Sequence, residues 1–488
     1  MNSITIVNRE IRVLLLGVAM AVGPGCKKFI TVPAPITSTN AANVYSTDAT
    51  AAAVMTGLYA RMMNTPISQS GFTSISLFTA LSADEMTVYN YNTQITGQYP
   101  PYYLNALTAV NHAEPYIWSL IYPYVFITNA AIEGLNGSKT LTPSVKQQLL
   151  GEAKFIRALC FFYLVNLYGD VPLPLTTDYN VTRILPRTPE KDVYTQVIAD
   201  LTEAQDLMSA NFLRADRITA YPANAAERIH PTRWAAAALL ARVYLYTGDY
   251  PKAEGEATQV IDNTTMFSLT GLTDVFKKNS AEAIWQMQPT ITFAPNASGE
   301  PILYVLPSGG PNTSGQYPVY LSDTLVNSFE QGDNRKTAWT DSVSVNGTTY
   351  YYPYKYRNNA TTGAVTEYEM VLRLAEQYLI RAEARAQQGN LSGALADLNV
   401  IRSRAGLGAS MAATQADILS AILHERQVEL FTEWGHRWLD LKRTGTIDAV
   451  MTGISPIKGG SWISSKQLYP VPQSEINQDP MLVQNAGY

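Results

Sequence analysis

The chain has 488 residues, 35 Lys+Arg against 40 Asp+Glu for a formal charge of −5, and 46% hydrophobic content; burying that content at this length takes several domains or a stacked-helix architecture. Two cysteines (Cys26, Cys160) and four histidines (His112, His230, His424, His436) leave too little sulfur and imidazole for zinc fingers or iron–sulfur clusters, and no block of Lys or Arg supplies a footprint for nucleic acid. Charged residues are only 15% of the chain, while 30 Tyr outnumber 13 Phe and 7 Trp together.

At the N-terminus, Arg9 and Arg12 precede the apolar run 13–22, followed by small residues up to Cys26. This is the layout of a secretory signal, and the run is too short to span a bilayer. Ala19-Met20-Ala21 fits ordinary signal cleavage, whereas Gly25-Cys26 fits a bacterial lipoprotein site; we favour the second, with residues 1–25 removed and Cys26 lipidated. Pro33 and Pro35 then make residues 26–45 an extended tether to a body at 46–488.

Tyr89, Tyr91, Tyr99, Tyr102, Tyr103, Tyr116, Trp118, Tyr122 and Tyr124 crowd a loop-rich stretch. Two amphipathic helices follow, one on Leu149, Ala153, Ile156, Cys160, Leu164 and Leu167, the other on Val193, Val197, Leu201, Ala204 and Met208. Cys160 on the first stripe reads as a small buried side chain. The segment 232–261 has the small-residue pattern of a tetratricopeptide helix pair around Gly248-Asp249, and Ala382, Gly389, Ala394, Leu398 and Ile401 repeat part of it. Helix pairs are thus expected near 145–262 and 366–443, separated by a loop-rich insertion near 263–365. Inside that insertion, residues 343–350 alternate around Asn346-Gly347, which predicts a two-residue hairpin. Tyr350, Tyr351, Tyr352, Tyr354 and Tyr356 follow, at least half of them structural.

Near the C-terminus Glu425, Glu429, Glu433 and Arg437 are spaced four apart, so a continuous helix would align them. Carboxylates interleaved with Arg426, Arg437 and Arg443 predict a structural ion network rather than an acid–base pair. The sequence holds no Gly-x-Ser-x-Gly, no His-Glu-x-x-His, no phosphate loop and no dinucleotide fingerprint. The tyrosines are the better functional signal: a ring with a hydroxyl at its edge matches a sugar, which has an apolar C–H face and a rim of hydroxyls. Tyr89-Asn90-Tyr91-Asn92 and Gln98-Tyr99 have this mixed character.

Blocks along the whole mature chain resemble the SusD/RagB family of surface lipoproteins. They include Gly25-Cys26-Lys27-Lys28-Phe29, Leu167-Tyr168-Gly169-Asp170-Val171-Pro172, Gly332-Asp333-Asn334-Arg335 and Asn399-Val400-Ile401-Arg402-Ser403-Arg404-Ala405-Gly406-Leu407. Gly435-His436-Arg437-Trp438-Leu439-Asp440-Leu441-Lys442-Arg443 and Tyr469-Pro470-Val471-Pro472 complete the set. The resemblance implies a mainly α, SusD-like fold with tetratricopeptide-like helix pairs and a loop-rich binding side with minor β-hairpins. It implies a lipid-anchored protein on the outer membrane facing the cell exterior, with no catalytic residue; the sequence itself assigns no metal ligand and no cofactor. Such a protein captures oligosaccharides and passes them to a SusC-like TonB-dependent transporter. A peptide-capturing RagB-like protein is the alternative; a tetratricopeptide scaffold and a two-carboxylate glycoside hydrolase are further readings that the signal, the insertion and the arginine partners disfavour. By position in the family, the ligand contacts are expected from Asp84, Tyr89, Asn90, Tyr91, Tyr99 and Tyr102 in one loop and Trp285, Tyr304, Tyr317 and Tyr320 in another.

Replacing the lipidated residue, Cys26→Ala, is expected to move the protein from the membrane pellet to the soluble fraction. An unchanged distribution on fractionation would favour cleavage after Ala21.

Overall fold

The computed structural model describes residues 41–64, 72–90, 98–110, 117–222, 225–290, 298–313, 316–359 and 362–488. Cys26, most of the 26–45 tether and Tyr91 lie outside the described residues. The chain divides into a unit up to Val44 and a compact unit from Tyr45 to Tyr488. No described helix is long and apolar enough to cross a membrane.

The second unit is mainly helical. It begins with α1 (Asp48–Asn64), α2 (Ser74–Ser82), β1 (Met86–Val88), α3 (Tyr99–Tyr103), α4 (Ile117–Gly137), α5 (Pro143–Tyr168), α6 (Tyr179–Thr182), α7 (Glu190–Leu207), α8 (Arg233–Tyr246) and α9 (Tyr250–Ile261). The middle supplies β2 (Ala283–Met287), α10 (Gly299–Tyr304), β3 (Val319–Leu321), α11 (Asp323–Val326), α12 (Asn334–Trp339), β4 (Thr340–Val345), β5 (Thr348–Pro353) and β6 (Glu369–Arg373). Helices resume with α13 (Leu374–Gln387), α14 (Leu391–Arg404), α15 (Gln415–Glu429), α16 (His436–Arg443), α17 (Ile447–Ile457) and α18 (Gln473–Gln478).

Both apolar stripes read from the sequence are core. The six stripe residues of α5 are fully buried, as are Val193, Val197, Leu201 and Ala204 of α7. Burial drives the Cys160 thiol far above its usual range, which keeps it protonated and inert.

The two tetratricopeptide-like turns share one construction. Gly248 (φ +76°) and Gly389 (φ +80°) turn the chain in the left-handed region. The next residue caps the following helix, Asp249 accepting from the Lys252 amide and Asn390 from the Gly393 amide. Although the insertion separates them in sequence, the pairs stack side by side, α9 against α13, so that α5, α7, α8, α9, α13, α14 and α15 form one continuous layer. Fully buried alanines, Ala235 to Ala238 on α8 and Ala375, Ala382 and Ala386 on α13, let the helix axes approach closely. Arg242 of α8 donates to both Glu376 oxygens of α13 at 2.6 Å, and Arg385 of α13 reaches Glu254 of α9 at 2.8 Å.

The strands form two-stranded antiparallel pairs, β1–β3, β2–β6 and β4–β5. The hairpin closes at Asn346 (φ 51°) and Gly347 (φ 83°), as Asn-Gly between alternating strands predicts.

The charged segment 424–443 is not one helix. Helix α15 ends at Glu429, Thr432 (φ 55°), Trp434 (φ 46°) and Gly435 (φ 77°) turn the chain, and α16 starts at His436. The break has a cause distant in sequence: the buried Lys355 ammonium donates to the carbonyls of Glu429 (3.0 Å) and Phe431 (2.8 Å), satisfying the helix end. Trp434 is pinned by its Nε1, which donates to the Met370 carbonyl at 2.6 Å.

The ion network is nevertheless present. Arg335 contacts Asp333 (2.8 Å), Glu425 (2.6 Å) and Glu429 (2.9 Å). Arg373 contacts Glu282 (3.0 Å), Glu429 (2.6 Å) and Glu433 (2.7 Å). Arg404 joins Glu282 (2.7 Å) to Glu429. Burial opposes ionisation of Glu429, but the guanidiniums of Arg404, Arg373 and Arg335 outweigh it and hold the carboxyl well below its usual range. Removing one partner would strand buried charge, so Arg373→Ala is expected to destabilise the protein by about 3–5 kcal/mol. A chemical-denaturation midpoint equal to the wild type would refute this.

Candidate ligand-binding site

The residues expected to bind ligand separate into two groups. Trp285 is fully buried: every residue of β2 is covered, and its Nε1 donates to the Ile229 carbonyl at 3.1 Å. Tyr304 is 1% exposed at the end of α10. Tyr102 stacks on Phe78 with centroids 4.4 Å apart, and Tyr99 beside it is also buried. Asp84, 3% exposed, receives a two-pronged pair from Arg437 at 2.8 and 2.7 Å. Trp285, Tyr304, Tyr99 and Tyr102 are therefore core residues with no face for a sugar ring, which corrects the expectation for them. The physical reason is that these rings cover the apolar interior and their polar atoms do not direct them to solvent.

Tyr89, Asn90 and Tyr320 do meet at one place. Strands β1 and β3 pair with Thr87 opposite Tyr320, while Met86, Val88, Val319 and Leu321 point inward and are buried. The period of two thus puts Thr87 and Tyr320 on the outer face. The Tyr89 amide extends the ladder by donating to the Pro318 carbonyl at 2.8 Å. Tyr350, brought in by strand β5, stands edge-on to both tyrosines, 5.1 Å from Tyr320 and 5.8 Å from Tyr89. Gly310 (φ +76°) makes room for this: a Cβ there would lie 3.0 Å from Val345 of the hairpin. Tyr317 is half-buried in the preceding loop, where its carbonyl accepts from the Asn312 amide at 2.9 Å. Tyr91 lies outside the described residues.

Beside these rings is a cavity of about 350 Å³, and Asp84, Asn90 and Tyr320 are among the residues that line it. Tyr103, Thr324, Ile454, Ile457 and Lys458 line it too. Lys458 is 4% exposed and donates to the carbonyls of Leu81 (2.6 Å), Ser82 (3.2 Å) and Ala83 (2.8 Å), capping the C-terminal end of α2. Its Nζ lies 5.0 Å from the Tyr103 ring centroid, and burial pushes its pKa down to about 7 against the pull of Asp84. The wall from α17 has no local sequence signal, since Ile457 and Lys458 reach the cavity only through the tertiary fold. Apolar side chains, aromatic rings, hydroxyls and charged groups of both signs share this one concavity, the chemistry of a site for a small ligand with apolar and polar faces.

The described carboxylates give no free acid–base pair within the C-terminal network, because Glu425, Glu429 and Glu433 are held by arginines. Among the described residues no group of three or more His, Cys, Asp and Glu is arranged to hold a metal ion.

Residues 39–245 match a family model described as "Starch-binding associating with outer membrane", and residues 282–488 match one described as "SusD family". SusD-like protein P25 of Formosa agariphila is 24% identical, over 91% of this chain and 93% of its own length. The starch-binding protein SusD of Bacteroides thetaiotaomicron is also 24% identical, over 73% of this chain and 74% of its own. Among solved structures, surface glycan-binding protein A from Bacteroides uniformis superimposes with a TM-score of 0.73 at 20% identity, covering 89% of this chain and 99% of that one.

Next to Asp84, buried Glu85 carries a titration signature. Burial, reinforced by the Asp84 charge, pushes the Glu85 carboxyl up to about 8 from an ordinary 4.5. A carboxyl with a raised folded-state pKa contributes stability fully below about 4.5 and loses it as pH climbs through about 8. Glu85→Gln is therefore expected to gain stability relative to the wild type progressively over that window and to match it near pH 4.5. Denaturant midpoints that differ by a constant amount at all pH values would contradict this.

Proposed function

Because the chain belongs to the SusD-like family, we propose that it is a cell-surface lipoprotein that captures oligosaccharides and delivers them, chemically unchanged, to a SusC-like TonB-dependent transporter in the outer membrane. Residues 1–25 act as the signal, Cys26 carries the lipid, and residues 26–45 tether the binding body. The outer-membrane location is supported by the description of the model matched over residues 39–245. Capture without catalysis is supported by relatives whose names describe binding proteins.

The observation that carries this reading is the tyrosine group beside the cavity. Tyr350 packs edge-to-face on both Tyr89 and Tyr320, which fixes Tyr320, the ring of the three that lines a concavity with polar walls. A pyranose would lay its C–H face against such a ring and direct its hydroxyls to Thr87, Thr324 and Asn90. Half-buried Thr87 and Tyr320 lie on the same outward face of the ribbon. A flexible loop would need to be ordered on binding, whereas a ring fixed on a strand does not.

Calorimetry after a screen of plant, animal and microbial polysaccharides, with peptides in parallel, tests the proposal. Tyr320→Ala is expected to weaken glycan binding about tenfold, the equivalent of one stacked ring, in a variant that still unfolds cooperatively. Saturable peptide binding with no glycan response would replace this reading by peptide capture, and sustained release of reducing sugar by the pure protein would refute the non-enzymatic assignment.

A further inference from the structure

A second concavity, of about 480 Å³, shares no lining residue with the first. Its floor is α4, which presents Trp118, Tyr122 and Phe126, and its walls are the segments 172–184 and 475–482. Phe126 is 57% exposed, Tyr179 72% and Ile184 49%. Aromatic and branched side chains left this open around a preformed hollow mark a binding surface.

The hollow is held rigidly from both sides. The Tyr122 hydroxyl donates to the Pro172 carbonyl at 2.9 Å, and the Asn129 amide donates to the carbonyls of Pro174 (2.9 Å) and Thr176 (3.5 Å). Glu133, also on α4, accepts from the Thr176 hydroxyl and the Thr177 amide, each at 2.8 Å. On the other wall Ser119 donates to Glu475 at 3.2 Å, and Arg187 holds the Val483 carbonyl at 2.8 Å. Trp118 and Tyr122 pack with centroids 5.0 Å apart beneath the opening.

These same bonds decide which ligand fits. A peptide that binds by strand addition needs free backbone edges, but here the carbonyls of Pro172, Pro174 and Thr176 and the amide of Thr177 are already taken by side chains of α4. Pro172, Pro174 and Pro480 offer no N–H at all. Recognition has to come from side chains, and those at the opening are aromatic faces interspersed with Thr182, Arg183, Glu475, Gln478 and Asp479. Two carboxylates against one guanidinium repel an anionic ligand. Ring faces with neutral and charged hydrogen-bonding groups around them suit an uncharged polyhydroxylated ring.

We propose that this groove is a second saccharide-binding site, which holds another part of the same glycan chain, or another chain, away from the tyrosines at the first cavity. This rests on the glycan-capture reading. Two sites on one rigid body raise retention of a long polymer through effective concentration, while a short oligosaccharide gains nothing from the second.

The test uses the full-length mature protein with starch, laminarin, xylan and mixed-linkage β-glucan, and with their hexasaccharides, in affinity gel electrophoresis and calorimetry. Tyr179→Ala and Phe126→Ser alter exposed side chains, and circular dichroism melts confirm that each variant folds. For whichever polysaccharide binds, wild-type protein is expected to take two hexasaccharides, and Tyr179→Ala to lower polymer retention and weaken one of the two equivalents about tenfold. Tyr320→Ala should weaken the other equivalent about tenfold. Unchanged retention and stoichiometry in both groove variants, with Tyr320→Ala still impaired, would overturn the second site alone. Wild-type protein that binds none of these glycans would overturn both readings, and, with a peptide mixture titrated in parallel, a groove variant that loses only peptide binding would overturn the saccharide assignment.

Discussion

The buried carboxylate of Glu429 is the point on which the rest of this structure depends. Three guanidiniums converge on it from different parts of the chain: Arg335 from the insertion, Arg373 from the end of β6, and Arg404 from the end of α14. Glu282, just before β2, is held by two of the same arginines. The entrance and exit of the loop-rich insertion are thus tied to the helical layer at one knot of charge. Desolvating so many ions is unfavourable on its own, and it is tolerable here because nearly every ionised atom has an oppositely charged partner at hydrogen-bonding distance. Replacing any single member breaks that balance, so the network specifies one arrangement of insertion on helices more strictly than apolar packing would.

The same principle ties the binding side to the C-terminal part of the chain. Arg437 holds Asp84, and Lys458 gathers three carbonyls at the end of α2. Both contacts fix the short segment from which β1 and its tyrosine emerge. The rings beside the cavity are therefore positioned by charged groups drawn from the far end of the chain.

Features set by local periodicity were legible in the sequence. The stripes of α5 and α7, the Asn-Gly hairpin and the two glycine turns each follow from steric or burial rules acting over a few residues. The composition of the ion network was also readable, since Glu and Arg in such density have few alternatives to pairing. What escaped was decided at long range. The interruption after Glu429 is imposed by Lys355, and Trp434 is fixed by a carbonyl of β6. A tyrosine carries the same letter whether it packs on Phe78, as Tyr102 does, or stands at a cavity mouth, as Tyr320 does. Only the pairing of Thr87 with Tyr320 and the arrival of Tyr350 separate the two roles.

The twin turns at Gly248-Asp249 and Gly389-Asn390 carry a consequence for how such a protein can diversify. Because α9 and α13 lie side by side, the polypeptide leaves the helical layer and returns to almost the same spot. The excursion is a closed loop in the polymer sense, and its closure entropy rises only with the logarithm of its length, by roughly 0.6 kcal/mol for each doubling. Segments away from Glu282, Arg335, Lys355 and Arg373 can lengthen, shorten or be exchanged while the layer beneath keeps its register. The fold works as a chassis whose exposed loops can change while the buried strands and ion pairs of the insertion stay as they are.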